Sequence, residues 1–150
     1  MRCGIEDIER VSLILSDDSV YIPINGFPCP NNERKNIAQD VLNEKKAYVL
    51  MPNEFSVFIF LPHDTGLYNV HTAILPKGRG RLGIKAFKQA AQWMFKNTNC
   101  IKLFGIIPAF RKDVILFHKW VGVVYEGVLS KSCIKNGVLY DQVVMGLSKS

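Results

Sequence analysis

Residues 77–83 read Lys-Gly-Arg-Gly-Arg-Leu-Gly, three glycines and three cations in seven positions, directly after Pro76 and before a helix-like run. Between a strand and a helix, such a loop aims successive backbone N–H groups and the positive end of the helix dipole at one point. Glycines there let an anion approach the main chain. Lys77, Arg79 and Arg81 add charge to the same place. Phosphate is the ligand this combination fits. The plainer alternative is a basic turn in which Gly78 and Gly80 reverse the chain and the cations face water. The spacing lacks the Gly-Lys-Ser/Thr of a P-loop. It also lacks the Gly-x-Gly-x-x-Gly and later ribose-binding acid of a dinucleotide loop, so ATP and NAD are disfavoured.

Groups able to move a proton are few. His71 falls in the alternating run 67–75, which sets His71, Ala73 and Leu75 on one face and Val70, Thr72 and Ile74 on the other. His118 lies within a short helical run, 114–121, and Tyr125 follows just past Gly122. For each a bland role stands beside the chemical one: a hydrogen-bonded core histidine, an exposed helix residue, a tyrosine packed in the sheet. Glu54 in a turn and Glu126 in the last hairpin are weaker candidates. His63 beside Asp64 has no third ligand nearby, so no metal site is expected. Cys3, Cys29, Cys100 and Cys133 are scattered without a Cys-x-x-Cys pair and read as free thiols in a reducing compartment.

The elements that must position these residues follow from period and punctuation. Residues 4–15 carry Ile5, Ile8, Val11 and Leu15 at helical spacing with acids in the first turn. Residues 23–32 are rich in Pro and Asn and irregular, and Asn31 or Asn32 caps a second helix ending near Lys45. Runs 47–51, 55–61 and 67–75 read as strands, the first two joined by Pro52-Asn53-Glu54. Residues 83–97 are helical, 100–107 a strand, and 114–121 a helix closed by Gly122. The last two strands turn around Asn136-Gly137. The stretch 67–107 is a strand–helix–strand crossover, so its two strands run parallel. The predicted class is α+β, one sheet with helices on both faces, in a single domain over residues 1–150.

Composition agrees. The 150 residues are 48% hydrophobic and 21% charged, ordinary for a globular chain. Net charge is +6, which favours an anionic partner without choosing one. The aromatics recur at strand or helix period as core residues do, and the cations read as spread along the chain, so nucleic acid is a minor expectation. No apolar run approaches the roughly 20 residues that span a bilayer, and the acidic first residues resemble no signal peptide. A soluble, cytoplasmic protein is expected.

The order of Pro76, a basic Gly-rich loop, an amphipathic helix and a following strand resembles the acetyl-CoA-binding core of the GNAT N-acetyltransferase superfamily. The ending, with a short helix and Gly122 before a strand, Glu126-Gly127, the Asn136-Gly137 turn and Asp141, is similar to its ribosomal-protein-alanine branch and to short GNAT-like proteins of tailed bacteriophages. The resemblance covers residues 47–150. It implies a mixed, mostly antiparallel sheet with a central parallel pair. It also implies acetyl transfer from acetyl-CoA to a primary amine, on a small molecule or a protein N-terminus. On it, Ile74 and Leu75 hold the thioester and pantetheine, and Lys77, Arg79, Gly80, Arg81, Leu82 and Gly83 surround the diphosphate. His71 serves as base or water relay. His118, at the position of the family's acidic Tyr, serves as acid, with Tyr125 as second choice. Leu82 and Ile84 stand where the loop signature has small residues. That departure feeds the alternative implied by the phage likeness: a catalytically degenerate protein with a head-assembly role and virion partners. A homodimer is a further expectation from the resemblance.

Overall fold

The computed structural model describes residues 1–20 and 31–150. A 3-10 turn (Ile5–Asp7) leads into α1 (Ile8–Leu15), and α2 spans Asn31–Asn43. Then come β1 (Tyr48–Asn53), β2 (Ser56–Asp64) and β3 (Leu67–Ile74), a 3-10 turn (Pro76–Gly78), α3 (Arg81–Asn97) and β4 (Lys102–Pro108). The chain closes with α4 (Lys112–Trp120), β5 (Val124–Lys135) and β6 (Val138–Ser148).

The six strands form one sheet in the order β1-β2-β3-β4-β6-β5. The meander, the crossover and the last hairpin read from the sequence are all present. Only β3 and β4 pair in parallel; every other neighbouring pair is antiparallel. β6 inserts between β4 and β5, which leaves β5 as an edge.

Alternation along the strands feeds two cores. Leu50, Phe58, Phe60, Tyr68 and Val70 face α3, where Phe87, Ala90 and Met94 are fully buried. Phe58 and Phe87 meet edge to face with ring centroids 5.6 Å apart, a geometry favoured by the ring quadrupoles. Val49, Met51, Val57, Ile59 and Ala73 face the other way, under Val11, Ile14 and Leu15 of α1 and Ala38 of α2.

Boundaries moved where side chains intercept the backbone. Asn53 Oδ1 accepts the Phe55 N–H at 2.9 Å, which puts Phe55 in the turn. Thr98 Oγ1 accepts the Cys100 N–H at 3.0 Å, so β4 starts at Lys102. Gly80, at φ +73°, is the N-cap of α3, and the helix begins two residues earlier than its apolar period suggests. Asn136 and Gly137 both have positive φ, as a two-residue hairpin turn requires. The irregular stretch expected at 23–30, with Cys29, lies outside the described residues.

The feature that positions the site is a fork. β3 and β4 are in register from Leu67↔Lys102 to Asn69↔Phe104, and there the pairing ends. Beyond it β3 stays with β2 as far as Ile74, and β4 stays with β6 as far as Pro108. The sheet therefore opens between its two middle strands at their C-terminal ends.

Candidate functional site

The fork leaves main-chain groups without a ladder, and their phase can be read. The Leu75 N–H donates to the Phe55 carbonyl at 2.9 Å, so Leu75, Ala73 and His71 present their backbone to β2. Ile74, Thr72 and Val70 present theirs to the opening. The Ile74 carbonyl accepts from Arg79 Nε at 3.2 Å on that side. Of the pair expected to hold a thioester, Ile74 offers its backbone to the fork. Leu75 does not, because its N–H is already used.

The opening is a cleft of about 280 Å³. One wall is Thr72, Ala73 and Ile74 of β3. The other is the face of α4 carrying Val114, Phe117 and Trp120, and the ends are Ser19, Arg79–Gly80 and Arg111. Thr72 Oγ1 is buried there without a hydrogen-bond partner among the described residues, and such a hydroxyl costs stability until something bonds it.

Each glycine of the loop has a separate cause. A Cβ on Gly78 would lie 2.4 Å from Phe55 Cβ, and one on Gly83 would lie 3.0 Å from the Gly78 carbonyl oxygen. Gly80 has open space around it, but φ +73° with ψ −135° is a conformation other residues avoid. Packing and turning thus account for all three. Their product is still an exposed helix start. The first helical bond runs from the Ile84 N–H to the Gly80 carbonyl, and the N–H groups of Gly80 to Gly83 have no main-chain acceptor among the described residues.

Arg79 lies across this end, its Nε on Ile74 and its Nη2 donating to the Ser19 carbonyl at 3.3 Å. Arg111 forms a two-point pair with Asp113, at 3.1 and 3.0 Å. The guanidinium's hydrogen bonds hold the Asp113 carboxyl below its ordinary pKa, so the cleft keeps an anion beside Arg111. Lys77 and Arg81 are exposed and outside the lining. Leu82, 49% exposed, does not plug the cleft.

The proton-transfer candidates are not brought together. His71 is exposed on the α1–α2 side of β3, while the protein around its ring still lowers its pKa by desolvation. His118 is 3% exposed and sits over the fork: a Cβ on Gly105 would lie 4.0 Å from its Nε2 and 3.9 Å from the Val70 carbonyl oxygen. Its Nδ1 is 2.8 Å from the Val114 carbonyl, which can only accept, so that nitrogen carries the proton. Burial lowers the His118 pKa as well. The nitrogen left over offers a lone pair, and the acid role expected of His118 does not fit that tautomer. Tyr125 is 54% exposed on the edge strand β5, opposite Met145 and outside the cleft. Glu126 is tied to Lys102 by an ion pair, Glu54 is exposed, and no cluster suited to a metal exists among the described residues.

Thr72, Arg111, Asp113, Phe117 and Trp120 were missed by sequence reasoning. The 3.6 period of 113–120 puts Asp113, Val114, Phe117 and Trp120 on one face, and only a wall across from that face would have marked it as a lining.

Solved structures share this fold. A GNAT-family acetyltransferase from Bacillus anthracis superposes with a TM-score of 0.75 at 15% identity, covering 95% of this chain and 89% of that one. The microcin C7 self-immunity acetyltransferase, solved with acetyl-CoA and AMP, gives 0.75 at 17%, covering 97% and 89%. A spermidine N-acetyltransferase from Vibrio cholerae, solved with CoA and spermine, gives 0.73 at 12%, covering 99% and 93%. The chain has the GNAT fold. No protein-family profile and no curated protein sequence matches it, so the likeness lives in the backbone. Within the GNAT fold the fork is the meeting of the meander β1–β3 with the β4–β6–β5 half, and the basic loop sits at its mouth. No described helix is long and apolar enough to cross a membrane.

Proposed function

We infer that this GNAT-fold protein is an N-acetyltransferase that moves acetyl from acetyl-CoA to a primary amine. One observation carries the reading: the unladdered backbone of Thr72 and Ile74 opens into the same cleft as the uncapped N-terminus of α3. The residues fit the cofactor. The N–H groups of Gly80 to Gly83 with Arg79 suit a diphosphate, and the β3 backbone with the orphaned Thr72 hydroxyl suits an amide-bearing arm. When bound, acetyl-CoA supplies an acetyl group activated as a thioester.

For the chain's own chemistry we assign His71 as base. It is exposed, and its lowered pKa leaves it neutral and able to accept a proton near pH 7. His118 is a positioning residue, bonded to Val114 and filling the fork above Gly105. The amine acceptor is supported by the Vibrio cholerae enzyme solved with spermine.

The test is thermal unfolding with acetyl-CoA, followed by thiol release with a panel of amines. A ligand at 100 times its Kd adds about 2.7 kcal/mol of stability, so a clear rise in Tm is expected. His71→Gln is expected to keep that rise while kcat falls by a factor of about 100, the usual range for a lost general base. No Tm rise at millimolar cofactor ends the reading.

A second reading is favoured by the acid side of the site. His118 is the wrong tautomer and Tyr125 lies outside the cleft, so neither expected acid presents a releasable proton to it, and Asp113, which lines it, is held ionised. On this reading the chain keeps the scaffold without turnover and serves in a phage particle. Co-purification with capsid proteins, together with cofactor binding but no thiol release, would select it.

A further inference from the structure

The fold gathers charge that looks dispersed along the chain. From Thr65 onward the sequence holds thirteen of its nineteen Lys and Arg residues but three of its thirteen acids. The 17 residues of α3 contain no acid at all. Arg81, Lys85, Lys88 and Lys96 are all exposed, and at 100° per residue they fall within roughly 80° of arc, opposite the buried Phe87, Ala90 and Met94. Across from them stands Lys149, just past β6. Between Lys88, Gln92 and Lys96 on one side and Lys149 on the other runs a groove of about 610 Å³, floored by Phe95, Val121 and Leu147. No acid lines it. Among the described residues none of Lys85, Lys88, Lys96 and Lys149 makes an ion pair.

Like charges at i,i+3 and i,i+4 repel, and surface helices ordinarily intersperse acids to relieve this. A stripe held without relief is complementary to a polyanion. A bilayer fits it poorly: between Lys85 and Lys96 the exposed positions are Lys and Gln with no protruding large apolar side chain, whereas interfacial helices insert Trp, Phe or Leu. An extended strand of phosphates fits better, because the cations run along about 22 Å of helix above a floor where half-buried Phe95 offers an aromatic face. We propose that the outer face of α3, with the Lys149 segment, binds single-stranded nucleic acid through its phosphate backbone, independently of sequence. The site runs along the exposed side of α3 where it borders the end of β6, apart from the cleft that the acetyl-CoA reading uses.

The test is fluorescence anisotropy of a labelled oligonucleotide of about 20 nucleotides with the full chain, titrated from about 50 to 300 mM salt. Three to four phosphate contacts predict a log–log salt slope of roughly −2 to −3. Lys88→Glu/Lys96→Glu/Lys149→Glu is expected to weaken binding at least about 10-fold, since each lost contact removes counterion release. Lys45→Glu/Lys46→Glu/Lys131→Glu changes net charge equally at exposed positions elsewhere and should leave affinity within about 2-fold. Equal loss in both variants, or no binding at the lowest salt, overturns the proposal. So does self-association in ultracentrifugation that the first variant abolishes without any oligonucleotide binding, because the partner is then the acidic N-terminal half of a second copy. The Tm rise with acetyl-CoA is expected in both variants, so failure here leaves the acetyltransferase reading standing.

Discussion

β3 and β4 are one strand pair with two unlike ends. At Leu67–Asn69 and Lys102–Phe104 they are laddered, and Tyr68, Leu103 and the adjoining Val70 are buried against α3. A few residues on, the same strands diverge and their backbone faces a cleft. The closed end spends its hydrogen bonds and apolar area on stability, and the open end withholds both. His118 sits between them, over Gly105, where a side chain on β4 would narrow the space. A site made this way is held by its two outer partners, β2 and β6, and tolerates an unpaired stretch that an isolated strand would not.

The largest effect is expected in the core beneath the fork, where Phe58 stands opposite Thr72 and Phe117 backs the cleft. Phe87 is fully buried, its ring centroid 5.6, 6.1 and 5.9 Å from those of Phe58, Phe117 and His118. Phe87→Ala is expected to cost about 3–5 kcal/mol, a fall in Tm of roughly 10 °C for a chain of this size, read by calorimetry. At the open end Gly80→Val should cost less, about 1–3 kcal/mol, because space is free around the Cβ and only the backbone conformation is strained. Its larger effect is on function: the Tm rise with acetyl-CoA should shrink or vanish. A Gly80 variant that keeps the full rise would show that the loop's conformation is no part of the binding site.

Much of the closed end was legible in the sequence and little of the open end was. The period-two run of β3, the 3.6 period of α3 and the Asn136-Gly137 turn are local signals, set by which residues must share a face. The fork is not local. Its cause is that β3 keeps its partner β2 while β4 keeps β6, and no residue in either strand announces that they part after Asn69 and Phe104. Composition left the basic loop open between a phosphate cradle and a plain basic turn. Its glycines are fixed by Phe55 beside Gly78, by the Gly78 carbonyl beside Gly83 and by one positive φ, and the open helix start follows from them. Leu82 points to solvent, which no register of a motif could have told. Arg111 and Phe117 entered the cleft only through the position of α4.

Arg79 distinguishes the ends more finely. It bonds two carbonyls, Ile74 and Ser19, from an exposed position. Arg79→Ala is expected to change stability by under about 1 kcal/mol, as exposed hydrogen bonds do, yet to weaken acetyl-CoA binding about 10-fold by isothermal titration, a charge-assisted contact's worth. Arg79→Lys should recover part of that affinity, since a single ammonium keeps the charge but loses the fork. If both variants bind as the parent does, the diphosphate is held by amides alone.

The smallest effect concerns the residue at the junction. Burial lowers the pKa of His118 below its ordinary 6.5, so the folded state disfavours the imidazolium while the unfolded chain accepts it. Above about pH 6.5 both states are neutral and His118 costs nothing. As pH falls below that value the unfolded state binds the extra proton first, and stability is lost until the folded-state pKa is passed. His71, lowered in the same direction but exposed, contributes less. Denaturant midpoints measured between about pH 8 and 5 should therefore decline on the acid side. His118→Asn, whose amide nitrogen can still donate to Val114, should lower the midpoint at every pH, because a buried ring is lost, and should flatten the decline. A slope that survives the substitution would place the titrating group elsewhere, and the histidine over the fork would then be only a filler of space.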